Sequence, residues 1–201
     1  IHIPYNLPVI SLATNPDNFF DDEIGIYVRG TNGITGNCNQ SPVNWNQPWE
    51  RPISFEYFSE EGQLALQADL AVKIHGGCSR NADLKSLGFM TRSAFGEPLL
   101  EYPFFRQKNI DEYKGLILRN AGNDNSSTFL RDAVIMATVE KELDVDVQAY
   151  EPVHVYLNGD YWGIHNLREK VNEHWVTSNY GIPQEDLDFL KNYNEVFAGN
   201  E

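Results

Sequence analysis

Apolar and polar residues alternate through much of the chain. In ADLAVKIH (Ala68–His75), Leu70, Val72 and Ile74 share one face, the two-residue period of a half-buried strand. ISFEYF (Ile53–Phe58) alternates in the same way, and LPVISLA (Leu7–Ala13), GIYVRG (Gly25–Gly30), SLGFMTRS (Ser86–Ser93) and GLILRN (Gly115–Asn120) read as further strands. Thr31–Pro52, rich in Gly, Asn, Gln and Pro, reads as a long irregular loop. The period then changes. Leu130, Ala133, Val134 and Ala137 fall at helical spacing, which predicts an amphipathic helix over Thr128–Leu143, capped by Ser126, Ser127 or Thr128. A second helix is predicted from Asn172, carrying Trp175 and Val176.

Between the helices lies VYLNGDYWGIHNLREK (Val155–Lys170). Asn158-Gly159 is the preferred pair for a type I′ turn, whose two central residues both need positive φ. A regular two-residue hairpin would set Val155 opposite Trp162 and Val153 opposite Ile164 on one apolar side, joined by Leu157. His154, Tyr156, Tyr161, Gly163 and His165 would take the other side. Strands come in blocks and do not alternate one-for-one with helices. The expected class is therefore α+β, a mainly antiparallel sheet with one long helix packed on it.

Composition changes this picture little. The chain has 201 residues, 41% hydrophobic and 22% charged, which suffices for a substantial core. The formal net charge of −14 disfavours nucleic acid and anionic membranes as partners and suits a basic one. No apolar run is long enough for a membrane helix, and no signal-peptide pattern opens the sequence. The first residue, Ile1, suggests an excised piece of a longer protein. Cys38 and Cys78 belong to no CxxC pair, and the sequence favours two free thiols over a disulfide.

Candidate chemistry gathers in one basic strip. Lys73, Arg80, Lys85 and Arg92 lie between Leu70 and Gly96 with Asp83 the only acid. Within it, HGGCSR (His75–Arg80) ends a strand with two glycines that let backbone N–H groups approach an anion. Ser79 adds a hydroxyl, and Arg80 and Lys85 add charge for phosphate oxygens. The alternative is a strand-ending turn whose cations pair with neighbouring acids. A second polar cluster, Arg119, Asn120, Asn123, Asp124, Arg131 and Asp132, is better explained by caps and salt bridges than by a ligand.

Taken in order, LPVISLATNPDNFFDDEIGIYVRG, DLAVKIHGGCSR, LKSLGFMTRSAFG, YPFF, LILRNAGND with LRD, and VYLNGDYWGIHNLREK resemble the CotH-like family, named for spore coat protein H, whose members are atypical protein kinases. The resemblance runs from about Leu7 to about Ile182. It implies the small lobe of a protein-kinase-like fold, with ATP between two lobes and Mg²⁺ on its phosphates. The family pattern HGxxSR…KS is met by His75, Gly76, Ser79, Arg80, Lys85 and Ser86, although the proline that usually precedes the KS pair is absent. The resemblance implies that Lys85, with Arg80, Ser79, His75 and Gly76, faces phosphate. Glu140 or Glu142 would partner the lysine, and Leu167 and Glu169 would form the hinge.

Residues 1–182 would then form the small lobe, hinge and first large-lobe helix, and 183–201 an acidic tail or the start of a truncated large lobe. The family's catalytic Asp segment and its WDxD-like metal-binding block do not occur, so no catalytic or metal residue is assigned and this piece is expected to be inactive alone. The intact protein would be an extracytoplasmic kinase, secreted, periplasmic or surface-anchored, acting on Ser or Thr of a partner protein. The alternative is a non-catalytic cell-surface binding or structural module, using Tyr156, Tyr161, Trp45 and Trp49 for contact.

Overall fold

The computed structural model describes residues 7–36, 38–96, 98–191 and 195–198. Seven strands form its centre: β1 (Val9–Ala13), β2 (Arg51–Phe58), β3 (Leu64–His75), β4 (Ser86–Met90), β5 (Gly115–Arg119), β6 (Tyr150–Leu157) and β7 (Asp160–Glu169). They close into a barrel in the order β1-β6-β7-β5-β4-β3-β2. Every pairing is antiparallel except β1 with β6, where Val9 lies beside His154 and Leu12 beside Leu157.

The alternation in the sequence explains the interior. Ile10 and Leu12, Phe55, Leu70 and Val72, Leu87 and Phe89, and Leu116 and Leu118 are all buried. Such a barrel fills its inside with its own side chains.

That closure overturns the expected α+β sheet with one long helix packed on it, and with it the small-lobe likeness. After the single-turn helix α1 (Asp17–Phe20), the helix α2 (Arg131–Glu142) has 12 residues, and Ala133 is its only buried one. Its supposed core stripe faces outward, with Leu130 46% and Val134 58% exposed. With only Ala133 buried, α2 has no apolar seam against the barrel and is fastened by charge. Asp132 Oδ2 accepts from Arg119 Nε at 2.8 Å and lies 3.1 Å from Nη2 of the buried Arg168. Nor does Ser126, Ser127 or Thr128 cap the helix. Asp124 accepts the Thr128 hydroxyl at 2.6 Å and the Arg131 amide at 3.0 Å, and these bonds hold its carboxyl pKa below the usual range. The second polar cluster is thus a joint, as caps and salt bridges required.

The β6–β7 hairpin keeps its turn but changes its register. Asn158 (φ 52°) and Gly159 (φ 91°) have the positive φ of a type I′ pair. Leu157 lies opposite Asp160 and Tyr156 opposite Tyr161, but Val155 then meets Gly163 and Val153 meets His165. Trp162 is the extra residue of a β-bulge, and Gly163 takes φ +107° beside it. One inserted residue exchanges the faces of everything after it. Ile164, expected inside, is 39% exposed, and His165, expected outside, is fully buried.

Two smaller corrections concern loops. Gly25–Gly30 is not a strand. Within Thr31–Pro52, Ile34–Gly36 pairs with Asn39–Val43, and a 3-10 turn follows at Asn44–Asn46. The second helix, α3 (Glu173–Tyr180), starts as expected, with Asn172 Oδ1 accepting from Trp175 N at 2.9 Å. Beyond it, Phe189–Lys191 pairs with Glu195–Ala198. No described helix is long and apolar enough to cross a membrane.

Candidate functional site: a lysine at the barrel mouth

Lys85 precedes β4 by one residue and shares the parity of Leu87 and Phe89, which puts it at the rim of the barrel interior. It is only 4% exposed. Its Nζ donates to Arg80 O and Ala82 O, both at 2.9 Å, and lies 4.0 Å from the centre of the Trp45 ring and 5.2 Å from that of Tyr27. The Tyr27 hydroxyl accepts the Lys85 amide at 2.8 Å and donates to Asp83 O at 2.9 Å. Burial lowers the ammonium pKa to about 8, opposed by the charge of Asp83. Two of the three N–H donors are thus used, and the ring faces favour the charged form.

The glycine turn ahead of the lysine is tightly built. Gly76 has φ +104°, and a Cβ there would come within 2.6 Å of Ser79 Oγ. Cys78–Asn81 forms a 3-10 turn. Arg80 turns inward on main-chain oxygens, with Nε to Gly76 O at 2.5 Å and Nη1 to Trp45 O at 3.2 Å. His75 ends β3 beside Ser86, with its ring next to Gly88.

Behind the turn, Asn120 is fully buried and ties it down. Its side chain donates to Leu84 O at 2.6 Å and Ser79 O at 3.4 Å, and accepts from Ser86 Oγ at 2.8 Å and Gly122 N at 3.0 Å. The Ser86 hydroxyl therefore serves to hold Asn120.

The basic strip is divided in space. Lys73 and Arg92 both pair with Glu50, at 3.8 and 2.5 Å. Lys85 borders a cavity of about 810 Å³, lined also by Tyr27, Arg29, Trp45, Asn81, Asp83 and the segment Cys38–Ser41, whereas Arg80 lines a smaller cavity of about 190 Å³ that shares Cys38, Asn39 and Asn81 with it. Spacing along the chain does not bring Tyr27, Arg29 or Trp45 to Lys85, because they come from segments far from it in sequence.

The proposed partners of the lysine lie elsewhere. Glu140 and Glu142 are exposed on α2, and among the described residues no ion pair joins either to Lys85. Leu167 and Glu169 stand in the barrel wall. Leu167 pairs with Glu151 on one side and Leu118 on the other, and Glu169 pairs with Leu116. The Glu169 carboxylate is buried on Lys108 Nζ at 2.6 Å and Ala149 N at 2.9 Å.

The two cysteines are joined, not free. Cys38 and Cys78 form a disulfide with Cα atoms 5.1 Å apart. The loop folds back over the glycine turn, where Trp45 Nε1 donates to Asn81 Oδ1 at 3.2 Å, and this brings the two together. The bond closes a span of 40 residues and ties the cavity's outer hairpin to the turn of Ser79 and Arg80. Replacing both cysteines by serine should lower the unfolding free energy by about 2–4 kcal/mol, read by urea titration. A loss below about 0.5 kcal/mol would show that the loop is held without it.

His165 lies beneath the site, with Nε2 3.3 Å from Lys85 O. Burial pushes its pKa down to about 4. An unfolded histidine titrates near pH ~6.5, so between those values the unfolded chain binds the extra proton and stability falls as pH drops. The loss should approach about 3 kcal/mol by pH 4, at roughly 1.4 kcal/mol per pKa unit. Unfolding of the wild type and of His165→Gln at pH 7 and pH 4 isolates this from the carboxylates. An unchanged difference between the two proteins would refute it.

The donors around the cavity are two cations, amides and a hydroxyl, which suit phosphate oxygens. Mg²⁺ commonly takes one or two protein carboxylates together with phosphates and water. Asp83 is the carboxylate at this cavity, and the described residues contain no cluster of three or more metal-ligating side chains. Among curated proteins there is no match. A family model described as CotH kinase protein matches residues 72–198, taking in β4 to β7, the glycine turn from Gly76, Lys85, Asn120 and His165, though not the loop of Tyr27 and Trp45. The resemblance noted at residues 7–71 lies outside that match, which in turn reaches beyond Ile182. The chain belongs to the CotH kinase protein family.

Proposed function

We propose that this chain is the nucleotide-side portion of a CotH-like protein kinase, which holds the phosphates of ATP at the Lys85 cavity. The observation that carries the reading is a buried ammonium at the edge of a cavity large enough for a nucleotide, with a spare N–H donor. Lys85 would set a positive charge against phosphate oxygens, and the Gly76–Asn81 turn, locked by Asn120, would hold the lysine's carbonyl partners in place. Bound ATP with Mg²⁺ would supply the phosphoryl group, and Ser or Thr of a partner protein would receive it in the intact enzyme. A basic partner suits the net charge of −14. The disulfide supports an extracytoplasmic, oxidising setting.

This reading has a pH signature. The Lys85 ammonium is charged below about pH 8 and loses its proton above it. Affinity for Mg-ATP should therefore be steady from pH 6.5 to 7.5 and fall by roughly tenfold by pH 9, at one proton per site. Isothermal titration across that range checks it. Affinity that stays level to pH 9 would count against Lys85 as the phosphate ligand.

A further inference from the structure

The cavity holds a second cation. Arg29 comes from the loop ahead of β2, outside the residues matched by the family model. Its guanidinium lies 6.0 Å from the centre of the Trp45 ring. Every other arginine has a partner oxygen. Arg92, Arg106, Arg119, Arg131 and Arg168 meet carboxylates, and Arg51 and Arg80 donate to main-chain carbonyls. Among the described residues, Arg29 is the one arginine with neither. In a chain with 29 acidic and 15 basic residues, carboxylates are abundant, yet none among the described residues forms an ion pair with it.

Lys85 Nζ stands 4.0 Å from the same Trp45 ring, so the two cations lie within about 10 Å of each other. Asp83 is the single carboxylate on the cavity wall, which leaves the lining with an excess of positive charge. Asn39, Gln40, Asn81 and Ser41 add neutral donors. Two cations of different reach on one concave wall match an extended anion better than a compact one. The lysine is a fixed point charge at the inner end, and the guanidinium is a planar fork that takes two oxygens at once.

We propose that Arg29 is the outer anion ligand of this cavity and selects polyphosphate chains over monophosphates. The inference rests on the reading of Lys85 as a phosphate ligand and extends the site to a residue that the family match does not reach. Because Arg29 is exposed, its replacement should leave the fold intact.

The test measures binding of tripolyphosphate, ATP and AMP to the wild type, Arg29→Ala, Arg29→Lys and Lys85→Met by isothermal titration, with thermal melts as the control for folding. Arg29→Ala should weaken tripolyphosphate and ATP by roughly ten- to a hundredfold and AMP by less than about threefold, with Arg29→Lys in between. If Arg29→Ala binds ATP and tripolyphosphate like the wild type while Lys85→Met does not, the role of Arg29 is refuted and the Lys85 site stands. If Lys85→Met binds like the wild type, or no protein binds, the Lys85 reading fails and the Arg29 inference falls with it.

Discussion

Glu169→Ala should destabilise the protein by roughly 3–5 kcal/mol, among the largest effects of any single exchange here. Its carboxylate is 1% exposed and accepts from Lys108 Nζ at 2.6 Å and from the Ala149 amide at 2.9 Å. Lys108 is itself 13% exposed, donates to Asn179 Oδ1 at 2.6 Å and lies 5.1 Å from the centre of the Trp175 ring. The knot thus joins β7, the strand start at Tyr150 and α3. Removing the carboxylate leaves a buried ammonium without its counter-charge and an amide without its acceptor. Replacing both charges should be far milder, because desolvation then no longer opposes burial. Urea unfolding of Glu169→Ala, Glu169→Met, Lys108→Met and Glu169→Met/Lys108→Met measures the difference. A loss under about 1 kcal/mol in Glu169→Ala, or a double variant as unstable as the sum of the singles, would contradict this account of the joint.

Lys85→Met should abolish most nucleotide affinity while keeping the aliphatic stem. A charged hydrogen bond to phosphate contributes about 1.5–3 kcal/mol, so binding should weaken by roughly ten- to a hundredfold. Methionine also removes the two bonds to Arg80 O and Ala82 O, which hold the turn closed. Lys85→Arg separates these effects, because it keeps the charge but not the compact geometry between Trp45 and Tyr27. We expect Lys85→Arg to bind more tightly than Lys85→Met and less tightly than the wild type. Equal affinity in all three would remove the lysine from the site.

Where local patterns decide the structure, they were legible. Asn158-Gly159 makes the turn its φ values require, and the alternation of Leu70, Val72 and Ile74 puts all three inside. The bulge at Trp162 was not legible, because a single Gly163 permits a bulge without requiring one. That one residue decides whether His165 or Ile164 enters the core. Barrel closure was hidden for a different reason. It depends on β1 pairing with β6, from Val9 to His154, and no local period reports so distant a contact. The helix α2 misled because its apolar stripe is real but unpaired, and its attachment runs through Asp132.

The candidate site divides in the same way. Lys85, Ser79 and Arg80 stood out through the basic strip and its glycine turn, and Lys85 does border the 810 Å³ cavity. Tyr27, Arg29 and Trp45, which build the facing wall, lie 58, 56 and 40 residues from Lys85 along the chain, the first two in a stretch that reads as a strand and the third in a loop whose composition predicts only irregularity. The disulfide escaped for the same reason, since only the folded loop brings Cys38 to Cys78. Asn120 was seen as polar, but its role behind Ser79 and Leu84 depends on β5 lying beside β4.

The most direct test of the central claim is isothermal titration of Mg-ATP into the 201-residue chain at pH 7, with Lys85→Met titrated in parallel and both proteins shown to melt cooperatively. The account predicts one saturable site in the wild type and at least roughly tenfold weaker binding in the variant. Heat no greater than dilution in the wild type, or the same Kd in both proteins, would contradict it.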